Sequence, residues 1–156
     1  MSPSDSPASS AMYVFVYGTL REGEINDIAR AAERHALAPP VRIGAAATHG
    51  RLFDFGAYPG LLSGADAHAD AIGNARVVGD VFRITSALLP VLDAIEGIRA
   101  DGRDIFYRAQ CVVEAGGTRL TCYFYPVDPA ATRDRPLIPQ GDWIAYRRAR
   151  DGAGGI

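Results

Sequence analysis

The pair Gly116-Gly117 constrains this chain more than any other two residues. β-prone segments, Phe106 to Glu114 and Thr118 to Tyr125, run into it from either side, and two glycines between such segments signal a hairpin. A two-residue loop also fixes the register. Ala115 should oppose Thr118, Val113 should oppose Leu120, and Cys111 should oppose Cys122. The two thiols then share one apolar face, with Tyr123, Tyr125 and Arg108 on the other. Counted from the turn, the cysteines occupy a hydrogen-bonded pair with Cα atoms about 5.5 Å apart. A direct bridge there is strained, so reduced, buried thiols are expected. Neither is a candidate nucleophile, because none of the three histidines is near in sequence.

The rest of the chain alternates short elements. Tyr13 to Val16 is β-branched or aromatic and reads as a strand. Glu24 to Arg34 has Ile25, Ile28, Ala29 and Ala32 at helical spacing. Val41 to Ala46 predicts a weak strand and Gly50 to Phe55 a better one, followed by a turn at Ala57-Tyr58-Pro59-Gly60. Ser63 to Asn74 is small and polar, hence a loop. Arg76 to Ile84 predicts a strand in which Gly79 marks a bulge. A helix capped by Thr85 or Ser86 should run to Ile95 with Leu88, Leu89, Leu92 and Ile95 on its apolar face and Gly97 just past its end. Gly141-Asp142-Trp143 begins a short helix reaching Tyr146. Strands outnumber helices, so the expected fold is α+β, a small curved, barrel-like mixed sheet with a few covering helices.

A length of 156 residues fits one domain with its own core. Residues 1–11 are Ser/Pro-rich and read as a disordered tail, 12–150 as the domain, and 151–156 as a frayed end. The tail lacks the basic and apolar regions of a signal peptide, and no apolar run approaches the roughly 20 residues of a membrane span. A cytoplasmic location is expected. The net charge of −2 gives no nucleic-acid footprint. The chain has no Lys, which excludes Schiff-base chemistry.

The strand at Tyr13 stops at Tyr17-Gly18-Thr19-Leu20-Arg21. A strand ending in Gly-Thr leaves backbone N–H groups without ladder partners, and consecutive free N–H groups make a site for a carboxylate or phosphate. Gly18, with no Cβ, would let a ligand approach that backbone. The chain has no GxSxG nucleophile elbow, P-loop or dinucleotide fingerprint, which weakens phosphate as the ligand. Histidine and cysteine spacings match no metal motif, and no metal is assigned. Glu96, in Leu92-Asp93-Ala94-Ile95-Glu96-Gly97, ends its helix. There the helix dipole disfavours the ionised carboxylate, and burial against Leu92 and Ile95 would push its pKa up further. Such a group is suited to proton transfer. Asp93, one turn earlier, is its rival, and a solvated Glu96 with no role is the plain alternative.

Six segments occur in an ordered series: Tyr17-Gly18-Thr19-Leu20-Arg21, Tyr58-Pro59-Gly60-Leu61, Gly79-Asp80-Val81-Phe82, Leu92 to Gly97, Tyr107-Arg108 and Gly141-Asp142-Trp143. In this order the chain resembles the γ-glutamylcyclotransferase-like family, in particular its small single-domain members similar to γ-glutamylamine cyclotransferase. The resemblance covers Met12 to about Arg147. It implies a curved β-barrel and a cofactor-independent reaction in which the α-amine of a γ-glutamyl compound attacks its own γ-carbonyl, giving 5-oxoproline and a free amine. It implies that Tyr17, Gly18, Thr19 and Leu20 form the substrate-binding loop and that Glu96 is the catalytic acid/base. Arg21 either pairs with the substrate carboxylate or faces solvent. Tyr58 and Tyr125 are candidates to line the pocket, whereas Tyr107 and Trp143 are assigned to packing. The expected partner is a small γ-glutamyl substrate, with no nucleic acid or membrane, and the protein is a monomer or homodimer. Two further readings stay open: a non-catalytic sensor on the same fold, and a cyclotransferase dedicated to a γ-glutamylated biosynthetic intermediate.

Overall fold

The computed structural model describes residues 12–21, 27–56, 58–63, 75–95 and 106–154. Its elements, in chain order, are β1 (Met12–Val16), α1 (Ile28–Arg34), β2 (Val41–Asp54), β3 (Pro59–Ser63), β4 (Arg76–Ile84), α2 (Leu89–Ile95), β5 (Ala109–Ala115) and β6 (Thr118–Phe124). A 3-10 turn at Pro129–Thr132, β7 (Leu137–Ile138) and α3 (Trp143–Gly154) follow. Neighbouring strands run β2-β4-β1-β6-β5, and β5 pairs back onto β2, which closes a five-stranded barrel. Every pairing in the ring is antiparallel except β1 with β6, which meet in parallel at Val14 and Tyr123. The sheet is therefore mixed, as the sequence led us to expect.

The alternation of β1 sorts the core into two layers. Phe15 and Tyr17 point into the barrel, where they meet Val77, Val81, Val113, Cys122, Phe124 and Trp143. Val14 and Val16 point outward onto Ile28 and Ala32 of α1 and Leu88, Leu89 and Leu92 around α2. Burying each large apolar side chain of this kind contributes roughly 1.5–3 kcal/mol. Both layers therefore depend on β1 keeping its period of two.

The hairpin register is borne out residue by residue, including Cys111 opposite Cys122. Gly116 and Gly117 have φ of 59° and 82°, the positive values that a tight two-residue turn needs. β5 itself begins at Ala109 rather than Phe106, which instead makes an isolated bridge to Val127.

Other expectations shift. The first helix does not run continuously from Glu24: Asp27 caps it by accepting from the Ala29 N–H at 2.8 Å, and α1 starts at Ile28. Residues 24–26 of that expectation lie outside the described residues. The two strands expected at Val41 and Gly50 are one strand of 14 residues. Its middle is held from two sides, Ala46 and Ala47 pairing with both β4 and β5. The bulge falls between Arg42 and Gly44, not at Gly79, which pairs regularly with Ala46. A Cβ on Gly79 would collide with the Val16 carbonyl, so this glycine marks the close approach of β1 and β4. Pro59 and Gly60 belong to β3, not to a turn. The last helix extends to Gly154 instead of stopping near Tyr146 and fraying from Asp151. The loop expected beyond Ser63 (64–74) and the Gly97 cap lie outside the described residues.

Candidate active site

The turn after β1 is built by its own backbone and by α1. The Arg21 N–H donates to the Gly18 carbonyl at 3.0 Å, and the Ile28 N–H donates to the Leu20 carbonyl at 3.0 Å. Gly18 is buried, and a Cβ there would lie 2.7 Å from Pro59 Cγ. The space opened by the missing side chain is thus filled by β3, not left for a ligand as the sequence suggested.

Tyr17 anchors the turn to two other elements. Its side chain is 5% exposed. The hydroxyl donates to the Tyr125 carbonyl at 2.7 Å and accepts from the Leu61 N–H at 3.2 Å. A buried phenol needs such partners, because an unpaired hydroxyl in the core costs about 1–3 kcal/mol.

Tyr125 follows β6 and is only 2% exposed. It is a candidate to line the pocket. Its hydroxyl donates to Asp93 Oδ1 of α2 at 2.6 Å. Asp93 Oδ2 accepts from Arg108 Nη1, also at 2.6 Å. Arg108 lies over the Tyr123 ring, 5.6 Å from its centroid. Both carboxylate oxygens of the rival acid are therefore engaged by protein groups. Glu96 itself lies outside the described residues. It follows Ile95, the last residue of α2.

Arg21 does not face solvent. Its Nε donates to Asp80 Oδ2 at 3.1 Å, and Arg42 Nη2 donates to Asp80 Oδ1 at 2.9 Å. Asp80 is 4% exposed, and two cations offset its desolvation. Arg21 Nη1 lies 3.6 Å from Asp142 Oδ1 and has no hydrogen-bond partner among the described residues. Sequence reasoning missed Asp80 as the anchor. The signal was a carboxylate inside an apolar strand, which requires a cation beside it.

Beside Pro59 the rings of Phe55 and Tyr58 stack at 5.7 Å, and Tyr58 meets Phe106 at 5.6 Å. Trp143 is fully buried in the barrel, the packing role expected of it. Asp54 receives the Tyr146 hydroxyl, the Gly56 N–H and Arg150 Nη1, which fastens α3 to the end of β2. Burial works to raise its pKa, but these three donors outweigh that and hold it below the usual carboxylate range. Among the described residues no group of three His, Cys, Asp or Glu side chains is placed to hold a metal ion. No helix among them is long and apolar enough to cross a membrane.

A closed mixed barrel with a tyrosine-anchored turn at its β1 end defines the class. The profile of the family described as gamma-glutamyl cyclotransferase, AIG2-like, matches residues 14–145, and the chain belongs to that family. It is an enzyme of the γ-glutamylcyclotransferase type. It is 34% identical over 140 residues to the gamma-L-glutamyl-butirosin B gamma-glutamyl cyclotransferase of Niallia circulans, covering 86% of this chain and 76% of that one. It is 30% identical over 134 residues to the gamma-glutamylcyclotransferase family protein YtfP of Escherichia coli K12, covering 85% and 96%. The crystal structure of an AIG2-like protein from Mus musculus has the same fold, with a TM-score of 0.63 at 22% identity over 81% of this chain and 85% of that one.

Proposed function

We propose that the protein cyclises a γ-glutamyl amine or γ-glutamyl amino acid to 5-oxoproline, with Glu96 as general acid and base. The family match across residues 14–145 carries this reading. The α-amine of the substrate is protonated at neutral pH and cannot attack. Glu96 takes one proton from it; the amine nitrogen then bonds to the γ-carbon and the bond from that carbon to the leaving nitrogen breaks. Glu96 returns that proton to the leaving nitrogen, and the second proton that the α-nitrogen sheds in becoming the lactam N–H follows it, so the amine departs as an ammonium ion and the enzyme ends as it began. Such proton transfer contributes about 10²–10⁴-fold, and folding the substrate onto itself supplies much of the rest through proximity.

The backbone N–H groups of Gly18, Thr19 and Leu20 hold the α-carboxylate in this reading. The Tyr17 hydroxyl keeps that turn in place from behind. Arg21, tied through Nε to Asp80 and lying near Asp142 through Nη1, adds positive charge beside the turn, which favours a carboxylate there.

The Niallia circulans relative, named for γ-L-glutamyl-butirosin B, favours a second reading, in which the substrate is a γ-glutamylated biosynthetic intermediate. One experiment addresses both. The purified protein is incubated with γ-glutamyl dipeptides, small γ-glutamyl amines and γ-L-glutamyl-butirosin B, and 5-oxoproline is quantified. Release from dipeptides or small amines supports the first reading, and release from γ-L-glutamyl-butirosin B alone supports the second. No 5-oxoproline from any of them overturns the cyclotransferase proposal.

A further inference from the structure

We propose that Asp93 is a positioning residue: through Tyr125 it ties the last turn of α2 to the turn that follows β1. The proposal rests on the reading of Glu96 as the proton carrier.

α2 spans seven residues, Leu89–Ile95, too few for a helix to hold its own shape in water. Its orientation must come from packing. Leu89 and Leu92 bury one side of it against the outer face of the barrel, with Leu88 just before. Apolar contact alone leaves sliding and rotation weakly resisted, because dispersion is non-directional. Asp93 supplies direction. Its two oxygens are held from two places in the chain, by the Tyr125 hydroxyl just beyond β6 and by Arg108 just before β5.

Tyr125 belongs to both halves of the arrangement. Its side chain grips α2, and its main-chain carbonyl receives the Tyr17 hydroxyl. The path from the substrate turn to α2 thus passes through one residue: Leu61 N–H to Tyr17 hydroxyl, Tyr17 hydroxyl to Tyr125 carbonyl, Tyr125 hydroxyl to Asp93. Glu96 is three residues beyond Asp93 in the chain. A carboxylate already bonded on both oxygens is poorly placed to collect a proton from substrate, which separates Asp93 from the chemical role of Glu96.

Asp93→Ala, Tyr125→Phe and the double variant test the tie. Each single change is expected to lower kcat about 10- to 100-fold with KM within roughly threefold, as a misplaced catalytic group does. The double variant should lose no more than the worse single one, since both remove the same link. Hydrogen exchange at the amides of Leu92 to Ile95 should speed up in both single variants, and this readout needs no turnover. The proposal is overturned if Asp93→Ala loses more turnover than Glu96→Gln, if KM rises instead of kcat falling, or if exchange in α2 is unchanged. If the native enzyme releases no 5-oxoproline while α2 still loosens in both variants, the tie stands and the cyclotransferase reading is what fails.

Discussion

The hydroxyl of Tyr17 donates to the main-chain carbonyl of Tyr125, 108 positions later, at 2.7 Å. The bond joins the exit of β1 to the exit of β6, the one parallel pairing in the barrel. Tyr17→Phe removes it together with the bond from the Leu61 N–H. Leaving buried backbone groups so deprived should cost about 1–3 kcal/mol. Calorimetry should show Tm falling by roughly 2–4 °C for each kcal/mol lost. An unchanged Tm would mean that water or another group replaces the phenol.

Glu96→Gln keeps shape and removes the proton carrier. Formation of 5-oxoproline should fall about 10²–10⁴-fold, with Tm unchanged. Near-native turnover in this variant would remove Glu96 from the mechanism.

Asp54 should make stability depend on pH in the acid range. Its folded-state pKa is depressed, so the stability it contributes is present above its unfolded pKa and is lost as pH falls through the folded one. Asp54→Asn should therefore unfold at a lower temperature than the native protein at pH 7. The gap should narrow as pH drops toward about 3. A gap that widens on acidification would contradict the assignment.

Gly79→Ala places a methyl group against the Val16 carbonyl, which is backbone held in the β1–β4 ladder and unable to yield. The expected loss is about 1–3 kcal/mol or more, measured as a lower urea midpoint. Full stability would show that β1 and β4 can separate without harm.

Burial pushes the Cys111 thiol up to about 11 and the Cys122 thiol up to about 12. At pH 8 roughly one Cys111 in a thousand would be thiolate, the reactive form. Ellman's reagent should label neither residue within minutes in the native protein and both after denaturation. Rapid native labelling would show that the hairpin face opens, and no labelling after denaturation would reveal a disulfide.

Local signals carried the hairpin. Two glycines with positive φ fix the pairing of their flanks, so Cys111 opposite Cys122 follows from counting. The strand from Arg76 to Ile84 and the buried face of Leu88, Leu89 and Leu92 were legible because their periods are short and show within the segment itself, although their packing partners lie far along the chain. The continuity of β2 was not. Ala45-Ala46-Ala47 has weak strand propensity by itself, and only partners on both sides, β4 and β5, keep it extended. α3 was underestimated because Arg147, Arg148 and Arg150 mask its apolar side. Trp143 in the barrel and Arg150 on Asp54 hold it in place.

The sequence by itself determined the hairpin register, the strand before Tyr17 and, through six short segments in order along the chain, the family to which the chain belongs. Each of these signals is local, a run of a few residues in which propensity and turn chemistry act. Only the tertiary structure decided that Gly18 makes room for Pro59, that Arg21 is spent on Asp80, and that Asp93 is clamped by Tyr125 and Arg108. Each of those contacts joins segments far apart in the chain. Their partners are chosen by closure of the barrel, and a buried charge or hydroxyl then takes whichever complementary group that closure brings within reach.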